Sequence, residues 1–565
     1  MRFLVQTDPI HSEAVANITG RSELLSALFA LLGLQIYGLP DSSRSSLLEL
    51  CRTLSACALV CMAGLSKESG LTMFAVFLLR DWLHLFCRFN SAIGMFRAIW
   101  YNCRLRWIFT TMSATVAIGW RMLLTSGTSL DMHPTFNKIA FLEKFWHRVM
   151  SYAYCQVVAG SLLLWPAGLS YNHNDIESIT AILDLRNLNT LCAWTFIGAI
   201  GLLSIRCRKD RPAALFSWGL GVISFLPASQ VFFPVGFLVA ERTMYLPSVG
   251  FVLLVVVLMR SIARPNRSTS TESNRLKIRQ VMVSLFIAGL ICLSLGVRTI
   301  VQNTAWSTDL DLRWAALSVY PNSRSAHHGI GYYYITKGKD QPNATELAEH
   351  FLTRAYKIDP TFGIVGAQLA RIHFEKNNMT RAISLFEEAA QHRSEYATNV
   401  GCLLVGVEGR FQEAETHFMR ALKNKLHPWE TSLAYVLNNV GVMHTHRSFS
   451  KQLYDPDKAV IYFKEAYKIM NKAKTIPLME KVTTLRNLAI ATAADEEKKS
   501  FQVRHYAEQV RELYREADEP NDNKQREFEK EIFVYLSAAE TLNTDIRIQA
   551  TERLSKTHLG VLMVF

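Results

Sequence analysis

The sequence predicts an all-α membrane protein in which a polytopic helix bundle is followed by a helical-repeat α-solenoid. Three observations support this fold class. Apolar stretches recur through roughly the first 300 positions, and each approaches the ~20 residues that span a bilayer as a helix. The rest of the chain is mostly polar and repeats small and large apolar residues at a regular spacing. The change between the two patterns occurs near Val297.

Eight apolar segments are predicted to cross the membrane. They are Ser22–Gly38, Leu47–Leu65, Ser69–Leu85, Trp107–Thr125, Thr190–Arg206, Ala213–Phe233, Met244–Arg260 and Gln280–Val297. A further apolar segment, Val149–Pro166, is predicted to be re-entrant or broken. A full crossing there would put one set of basic loops on the wrong side of the membrane.

The distribution of basic residues predicts how the helices are oriented. Four basic loops are predicted to be cytoplasmic by the positive-inside rule: Arg44–Arg52, Arg88–Arg106, Arg206–Arg211 and Arg260–Arg279. Counting helices then places the turn at Lys67, the loop at Glu241 and all residues after Arg298 on the luminal side. The sequons at Asn17, Asn343 and Asn378 fall on that side and provide an independent test.

Composition argues against several classes of function. The net charge is +13, but many arginines lie in short loops between apolar segments, so nucleic-acid binding is not expected. The ten cysteines form no CxxC pair, and most lie within apolar runs, so neither a zinc site nor a disulfide framework is predicted. His327 and His328 have no acidic or cysteine partner at ligand spacing. No metal is assigned.

Four successive units after Pro321 carry small and large apolar residues in one register. Their residues are Ala348, Leu352 and Ala355; Ala382, Phe386 and Ala389; Ala414, Phe418 and Ala421; and Ala459, Phe463 and Ala466. This spacing predicts tetratricopeptide repeats, whose paired helices approach closely at small residues and bind extended polypeptide. The predicted domains are a membrane domain at 1–300, a linker at 301–320, the solenoid at 321–517 and a C-terminal helical tail at 518–565.

The segment before the first membrane helix contains His11, Glu13 and Arg21 in Asp8-Pro-Ile-His-Ser-Glu and Gly20-Arg21. A carboxylate at the luminal membrane edge could act as a general base, and an arginine there could hold a phosphate. The alternative is an ordinary polar start of a helix with its capping residues.

Two more charged pairs are predicted at the same membrane edge. Lys67-Glu68 lies between two apolar runs, where ionisable residues usually face a cavity or one another. Its alternative is a solvated turn. Glu241-Arg242 lies between a helix that ends near Phe233 and another that begins near Met244. This pair could hold a lipid-linked phosphate or a sugar, or it could be a structural ion pair that joins two helices.

The order of these features resembles one family, the transmembrane and tetratricopeptide-repeat O-mannosyltransferases of the endoplasmic reticulum. The resemblance covers nearly the whole chain and includes a bundle similar to other membrane glycosyltransferases of the GT-C type. The matching stretches are Asp8-Pro-Ile-His-Ser-Glu-Ala-Val, Gly20-Arg21, Lys67-Glu68-Ser-Gly-Leu-Thr, Leu226-Pro-Ala-Ser, Phe232-Phe-Pro-Val-Gly-Phe and Ala240-Glu-Arg-Thr-Met-Tyr-Leu-Pro-Ser-Val-Gly.

The resemblance implies transfer of mannose from dolichyl-phosphate mannose, the lipid-linked donor substrate, to Ser or Thr hydroxyls of client proteins, with cadherin-type clients known in the family. It implies an endoplasmic reticulum membrane protein with luminal repeats and no separate cofactor. The catalytic candidates are Glu13, Glu68 and Glu241, because the reaction needs a base for the acceptor hydroxyl. The candidates for binding the donor phosphate are His11, Arg21, Lys67 and Arg242.

The chain differs from the family pattern at its beginning. Family members place an acidic pair in the first luminal loop, and no such pair precedes Asp8. We expect either that the N-terminal part is missing from the gene model or that this is a shortened and inactive form. The alternative function is therefore a membrane-anchored luminal scaffold that binds client proteins through its repeats.

Overall fold

The computed structural model of the chain describes residues 6–40, 46–86, 103–125, 137–173, 210–263, 271–405, 410–423, 430–445, 454–473, 476–494 and 500–516. Within these ranges every regular element is a helix, so the all-α prediction is confirmed. The chain divides into two compact units, Met1–Ile330 and Gly331–Phe565. The predicted C-terminal tail at 518–565 lies outside the described residues.

The first unit contains the apolar helices. Those in the described residues are α1 (Ser12–Ala16), α2 (Arg21–Tyr37), α3 (Ser46–Ser66), α4 (Met73–Phe86), α5 (Arg104–Thr125), α6 (Phe145–Leu164), α7 (Arg211–Phe225), α8 (Tyr245–Ala263), α9 (Thr271–Ala305) and α10 (Asp309–Val319). Short 3₁₀ turns at Pro9–His11, Ile18–Gly20, Glu68–Thr72, Lys138–Phe141 and Glu241–Met244 connect several of them. Helix α11 (Arg324–Thr336) crosses the boundary between the units.

Three helices in the described residues are long and apolar enough to cross a membrane: Ser46–Ser66, Glu241–Ser261 and Val281–Ala305. The pair Pro9–Ala16 and Ile18–Tyr37, which is bent by 101°, adds a fourth if it is counted as one span. This composition is that of a membrane protein, as predicted.

The remaining predicted spans have different outcomes. Ser69–Leu85 and Ala213–Phe233 contain helices of only 14 and 15 residues, α4 and α7, because 3₁₀ or irregular turns occupy the rest of each segment. The break predicted within Val149–Pro166 is absent, since α6 continues unbroken to Leu164 and the helix ends just before Pro166. The predicted span Thr190–Arg206 lies outside the described residues.

Small residues allow the helices of the first unit to approach closely. Ala27 and Ala30 of α2 pack with Ala56 of α3 in one apolar core. The crossing of α7 and α8 is tighter, because a Cβ added at Gly250 would lie 2.4 Å from the backbone nitrogen of Gly221. Such close backbone approach adds van der Waals packing, which promotes helix association where lipid replaces water.

A buried arginine joins four helices at one end of the first unit. Arg106 of α5 donates to both carboxylate oxygens of Asp81 at 3.0 and 3.1 Å, and to Glu49 at 3.0 Å. It also donates to the backbone carbonyls of Tyr37 and Gly38, both at 3.1 Å. The Tyr37 hydroxyl donates to Asp81 at 2.8 Å. We name these five residues the Arg106 cluster.

The second unit consists of paired helices. After α11 these are α12 (Ala344–Ile358), α13 (Gly363–Glu375), α14 (Met379–His392), α15 (Ala397–Val405), α16 (Phe411–Lys423), α17 (Glu430–Thr445), α18 (Pro456–Lys472), α19 (Leu478–Ala494) and α20 (Ser500–Glu516). All twelve residues of the predicted register are buried. Phe418 and Phe463 fill the space beside Gly401 and Gly441, where a Cβ would lie 2.6 and 2.7 Å from the ring. The predicted α-solenoid is confirmed.

Candidate active site

The N-terminal turn holds two of the predicted site residues inside the first unit. Asp8 caps this turn, because its carboxylate accepts a hydrogen bond from the backbone nitrogen of Ile10 at 3.1 Å. The 3₁₀ turn and α1 that follow then bury His11 and Glu13. The chain next bends into α2 at Asn17, whose side chain accepts from the nitrogen of Thr19.

Glu13 and Arg242 form a buried ion pair although 229 positions separate them. The Glu13 side chain is 1% exposed, and one of its oxygens accepts from the backbone nitrogen of Arg242 at 2.9 Å. Its other oxygen accepts from the Arg242 guanidinium. The guanidinium also lies over the ring of Phe237, 5.5 Å from its centroid. The structure thus joins the first and last of the predicted charged segments.

Glu241 is fully buried next to this pair, and its two carboxylate oxygens differ. Oε1 accepts from the backbone nitrogen of Ser170 at 2.5 Å and lies 2.9 Å from Nε2 of His173. Oε2 is buried and receives no hydrogen bond from the residues that the structure describes. A buried acceptor without a partner is costly and calls for an explanation, of which a catalytic role is one.

A hydrogen-bonded chain of side chains leads to Glu241. Nδ1 of His173 lies 2.9 Å from the hydroxyl of Tyr320, which follows α10. Burial and the negative charge of Glu241 raise the pKa of Tyr320 above its usual range, so the hydroxyl keeps its proton. With a neutral imidazole, Tyr320 donates to Nδ1 and Nε2–H donates to Glu241. This chain fixes the tautomer of His173 and the orientation of the carboxylate.

The loop that carries Ser170 and His173 is itself held in place. Arg298 of α9 donates from Nε to the carbonyl of Pro166 at 3.1 Å, and its terminal nitrogen donates to the carbonyl of Ala167. These bonds fix the turn that follows α6. The position of the Ser170 backbone nitrogen against Glu241 therefore depends on a residue from α9.

His11 contacts the first turn of α8. Its Nε2 lies 2.7 Å from the hydroxyl of Ser248, and its ring lies 4.4 Å from the ring of Tyr245. Because the Ser248 hydroxyl donates to the carbonyl of Tyr245 at 2.7 Å, its oxygen is available to accept from His11. His11 thus connects the N-terminal turn with the helix that follows Glu241 and Arg242.

The remaining predicted residues have other partners or positions. Lys67 is 3.3 Å from Glu23, a buried carboxylate of α2 that also accepts from Ser69 at 3.2 Å. Glu68 pairs with Arg121, and both side chains are about half exposed. Arg21 is exposed at the first residue of α2. The roles predicted for these residues stay predictions, as do those of His11, Glu13, Glu241 and Arg242.

Four residues near the site were not predicted from the sequence: Glu23, Ser170, His173 and Tyr320. A carboxylate at the start of an apolar helix was the available signal for Glu23, because such residues usually have a partner. His173 gave no comparable signal, since its partners lie 68 and 147 positions away. Among the described residues, no group of three or more His, Cys, Asp or Glu side chains could hold a metal ion.

Comparison with known proteins shows which family the chain resembles. The model of the family described as "Protein O-mannosyl-transferase TMTC, DUF1736" matches residues 131–198. The chain is 31% identical over 369 residues to the protein O-mannosyl-transferase F38B6.6 of Caenorhabditis elegans, covering 64% of this chain and 46% of the relative. The chain is similar to members of the TMTC family. It spans about half the length of the relatives it matches.

Two human members of the TMTC family show the same extent of similarity. The protein O-mannosyl-transferase TMTC3 is 27% identical over 452 residues, which are 74% of this chain and 47% of TMTC3. TMTC4 is 29% identical over 370 residues, which are 60% of this chain and 46% of TMTC4. The residues matched by the TMTC family model include Ser170 and His173, so both groups that contact Oε1 of Glu241 lie in this region.

Proposed function

We propose that this chain is a protein O-mannosyltransferase that moves mannose from dolichyl-phosphate mannose to Ser or Thr hydroxyls of secretory-pathway proteins. The names of its relatives support a protein O-mannosyltransferase in general. The observation that carries the role of this site is Glu241, a buried carboxylate with one oxygen fixed by two donors and the other without a described partner.

In this proposal Glu241 is the general base. Oε2 takes the proton of the acceptor hydroxyl, the hydroxyl oxygen forms a bond to C1 of mannose, and the bond from C1 to the phosphate oxygen breaks. Dolichyl phosphate leaves with the electron pair of that bond. Ser170 and His173 hold Oε1, so the orientation of Oε2 is set before the substrate arrives. Since the carboxylate is fully buried, a segment other than the one that holds Oε1 has to move for the acceptor to reach Oε2.

A second function, a membrane-anchored scaffold that binds client proteins through its repeats, is favoured by a different observation. Glu13 pairs with Arg242, and Lys67 pairs with Glu23. Ion pairs of this kind hold helices together without any substrate, and breaking one of them destabilises the fold. A scaffold would use the charged segments in this way and the solenoid for binding.

A transfer assay separates the two functions. Microsomes from cells without other protein O-mannosyltransferases, carrying this chain, are given labelled dolichyl-phosphate mannose and a client peptide. We expect transfer by the wild-type chain and a decrease of about 10²–10⁴-fold in Glu241→Gln, which is the contribution typical of a general base. The exposed Glu143 provides the matched control, and Glu143→Gln should transfer like the wild type.

Two results would contradict the enzyme proposal. Transfer that is undiminished in Glu241→Gln would remove this carboxylate from the reaction. Absence of transfer by the wild-type chain, combined with cross-linking of the client peptide to the repeats, would favour the scaffold.

We also propose that the protein lies in the endoplasmic reticulum membrane with its repeats in the lumen, where cadherin-like client proteins would be presented. The sequons at Asn343 and Asn378 test this, because only luminal asparagines receive N-glycans. Thr345→Ala and Thr380→Ala abolish the sequons while leaving the asparagines in place as helix caps. Each change should remove one endoglycosidase-sensitive mobility shift. Digestion of the repeats by protease in sealed microsomes would exclude the luminal orientation.

A further inference from the structure

The loop that follows α6 carries both groups that contact Oε1 of Glu241, and residues of α9 and α10 hold it along its length. We name residues 166–173 the His173 loop. Arg298 of α9 donates to carbonyls at its start, and Tyr320, which follows α10, contacts the imidazole at its end. A buried carboxylate is oriented only as precisely as the loop that holds it.

The middle of the His173 loop is held by α10. The guanidinium of Arg313 lies over the ring of Tyr171, 5.9 Å from its centroid, which is within the range of a cation–π contact. Val319 packs against the same loop, because a Cβ added at Gly168 would lie 3.6 Å from Cγ1 of Val319. One continuous segment, from α9 to Tyr320, therefore contacts the loop at its start, its middle and its end.

Arg313 also lies against α11, the helix that continues into the repeats. A Cβ added at Gly329 of α11 would overlap the guanidinium, so any side chain at this position displaces it. The ion-pair partner of Arg313 is Asp309, one turn earlier in α10, at 3.0 Å. Two residues after Gly329, Gly331 packs against Leu352 of α12. Arg313 thus contacts both the His173 loop and the helix on which the first repeat is built.

We propose that Arg313 is a positioning residue through which α11 sets the orientation of Glu241. Arg313 holds Tyr171, and the loop around Tyr171 presents Ser170 and His173 to Oε1. Because the guanidinium lies against the backbone of α11, a shift of α11 displaces it and Tyr171 loses its contact. The inference rests on the proposed function, since the direction of Oε2 affects the reaction only if Glu241 is the base.

Hydrogen exchange tests the positioning without any transfer reaction. The backbone amide of Ser170 is bonded to Glu241, so exchange in a peptide that covers residues 166–173 reports how firmly the loop is held. With the full chain in nanodiscs, we expect this exchange to become about 3–10-fold faster in Arg313→Gln, because the contact with Tyr171 is lost. Gly329→Ala should have the same effect, since its Cβ displaces the guanidinium.

Steady-state kinetics test the effect on the base. Arg313→Gln and Gly329→Ala should each lower kcat for mannose transfer by about 3–10-fold with little change in KM, because the carboxylate is less well oriented while substrate binding is kept. The double variant should be no slower than Arg313→Gln alone, since both changes act through one contact. Arg313→Lys keeps a cation near Tyr171 and should recover part of the rate.

Arg410, which pairs with Glu413 on a solenoid helix, provides the matched control. Arg410→Gln should match the wild type in exchange at the His173 loop and in kinetics. Alanine favours a helix more than glycine does, so Gly329→Ala should keep the unfolding temperature, which separates positioning from loss of the fold. Unchanged exchange at the His173 loop in Arg313→Gln and Gly329→Ala would overturn the proposal, and so would an equal increase throughout the first unit.

The outcomes separate this inference from the proposed function. If exchange at the His173 loop rises in both variants while the wild-type chain transfers no mannose, the contact through Arg313 stands and the enzyme proposal fails. If the wild-type chain transfers mannose while neither variant changes exchange or kcat, the enzyme proposal stands and this inference fails.

Discussion

The first unit contains two buried charge clusters at opposite ends of the α2–α3 pair, and they differ in how completely their polar atoms are satisfied. In the Arg106 cluster both oxygens of Asp81 accept hydrogen bonds. Around Glu241 one oxygen has two donors and the other has none among the described residues. A complete set of bonds stabilises the helices, whereas an open acceptor leaves a place for a ligand.

Removing the arginine of the complete cluster should have the largest effect. Arg106→Ala leaves the fully buried Asp81 without its cation, and we expect the free energy of unfolding to fall by about 3–5 kcal/mol. Thermal unfolding in detergent measures this loss. Arg121→Ala, which removes a half-exposed partner of Glu68, should change the unfolding temperature little. An equal loss of stability in the two variants would show that the Arg106 cluster stabilises the fold no more than a half-exposed ion pair does.

His173 tests whether the incomplete cluster depends on its positioning residues. His173→Gln keeps a donor near Glu241 but changes the orientation of the carboxylate, and we expect kcat for mannose transfer to fall by about 10–100-fold with little change in KM. Steady-state kinetics with a client peptide measure both. A rise in KM by the same factor, with kcat unchanged, would assign His173 to substrate binding instead of to positioning Glu241.

Asp8, at the Glu241 end of the first unit, should make the stability of the fold depend on pH. Burial raises the pKa of Asp8 from 3.8 to about 6, against the opposing effect of its hydrogen bond from Ile10. The folded state thus binds this proton more tightly than the unfolded state, and the resulting stabilisation is lost as pH rises through about 6. Asp8→Asn keeps the cap and should remove roughly 1–2 kcal/mol of pH-dependent stability between pH 4 and 7. Unfolding temperatures of both chains across this range measure the effect, and parallel curves would contradict it.

Glu241→Gln should have the smallest effect on stability. The glutamine oxygen can still accept from Ser170 and His173, and the buried negative charge is gone, so we expect the unfolding free energy to stay within about 1 kcal/mol of the wild type. The same detergent unfolding experiment as for Arg106→Ala checks this. A loss as large as that of Arg106→Ala would make Glu241 a structural residue and weaken the contrast between the clusters.

The repeats were easier to predict from the sequence than the site. Ala382, Phe386 and Ala389 lie on one helix, so their spacing alone indicates a buried face, and the structure confirms it. Glu13 and Arg242 were each identified, but their pairing was not, because a contact across 229 positions leaves no periodic pattern. Glu68 shares a charged turn with Lys67 and looked equivalent to it, yet the structure places Glu68 on the surface.

The amino-acid sequence determined the α-helical class, the membrane character and the register of the solenoid, because each depends on residues close together along one helix. Tertiary structure alone decided that Glu13 meets Arg242 and that His173 and Ser170 hold Glu241. These features arise where distant segments pack together. Burial and hydrogen bonding there depend on neighbours in space, which helical periodicity does not specify.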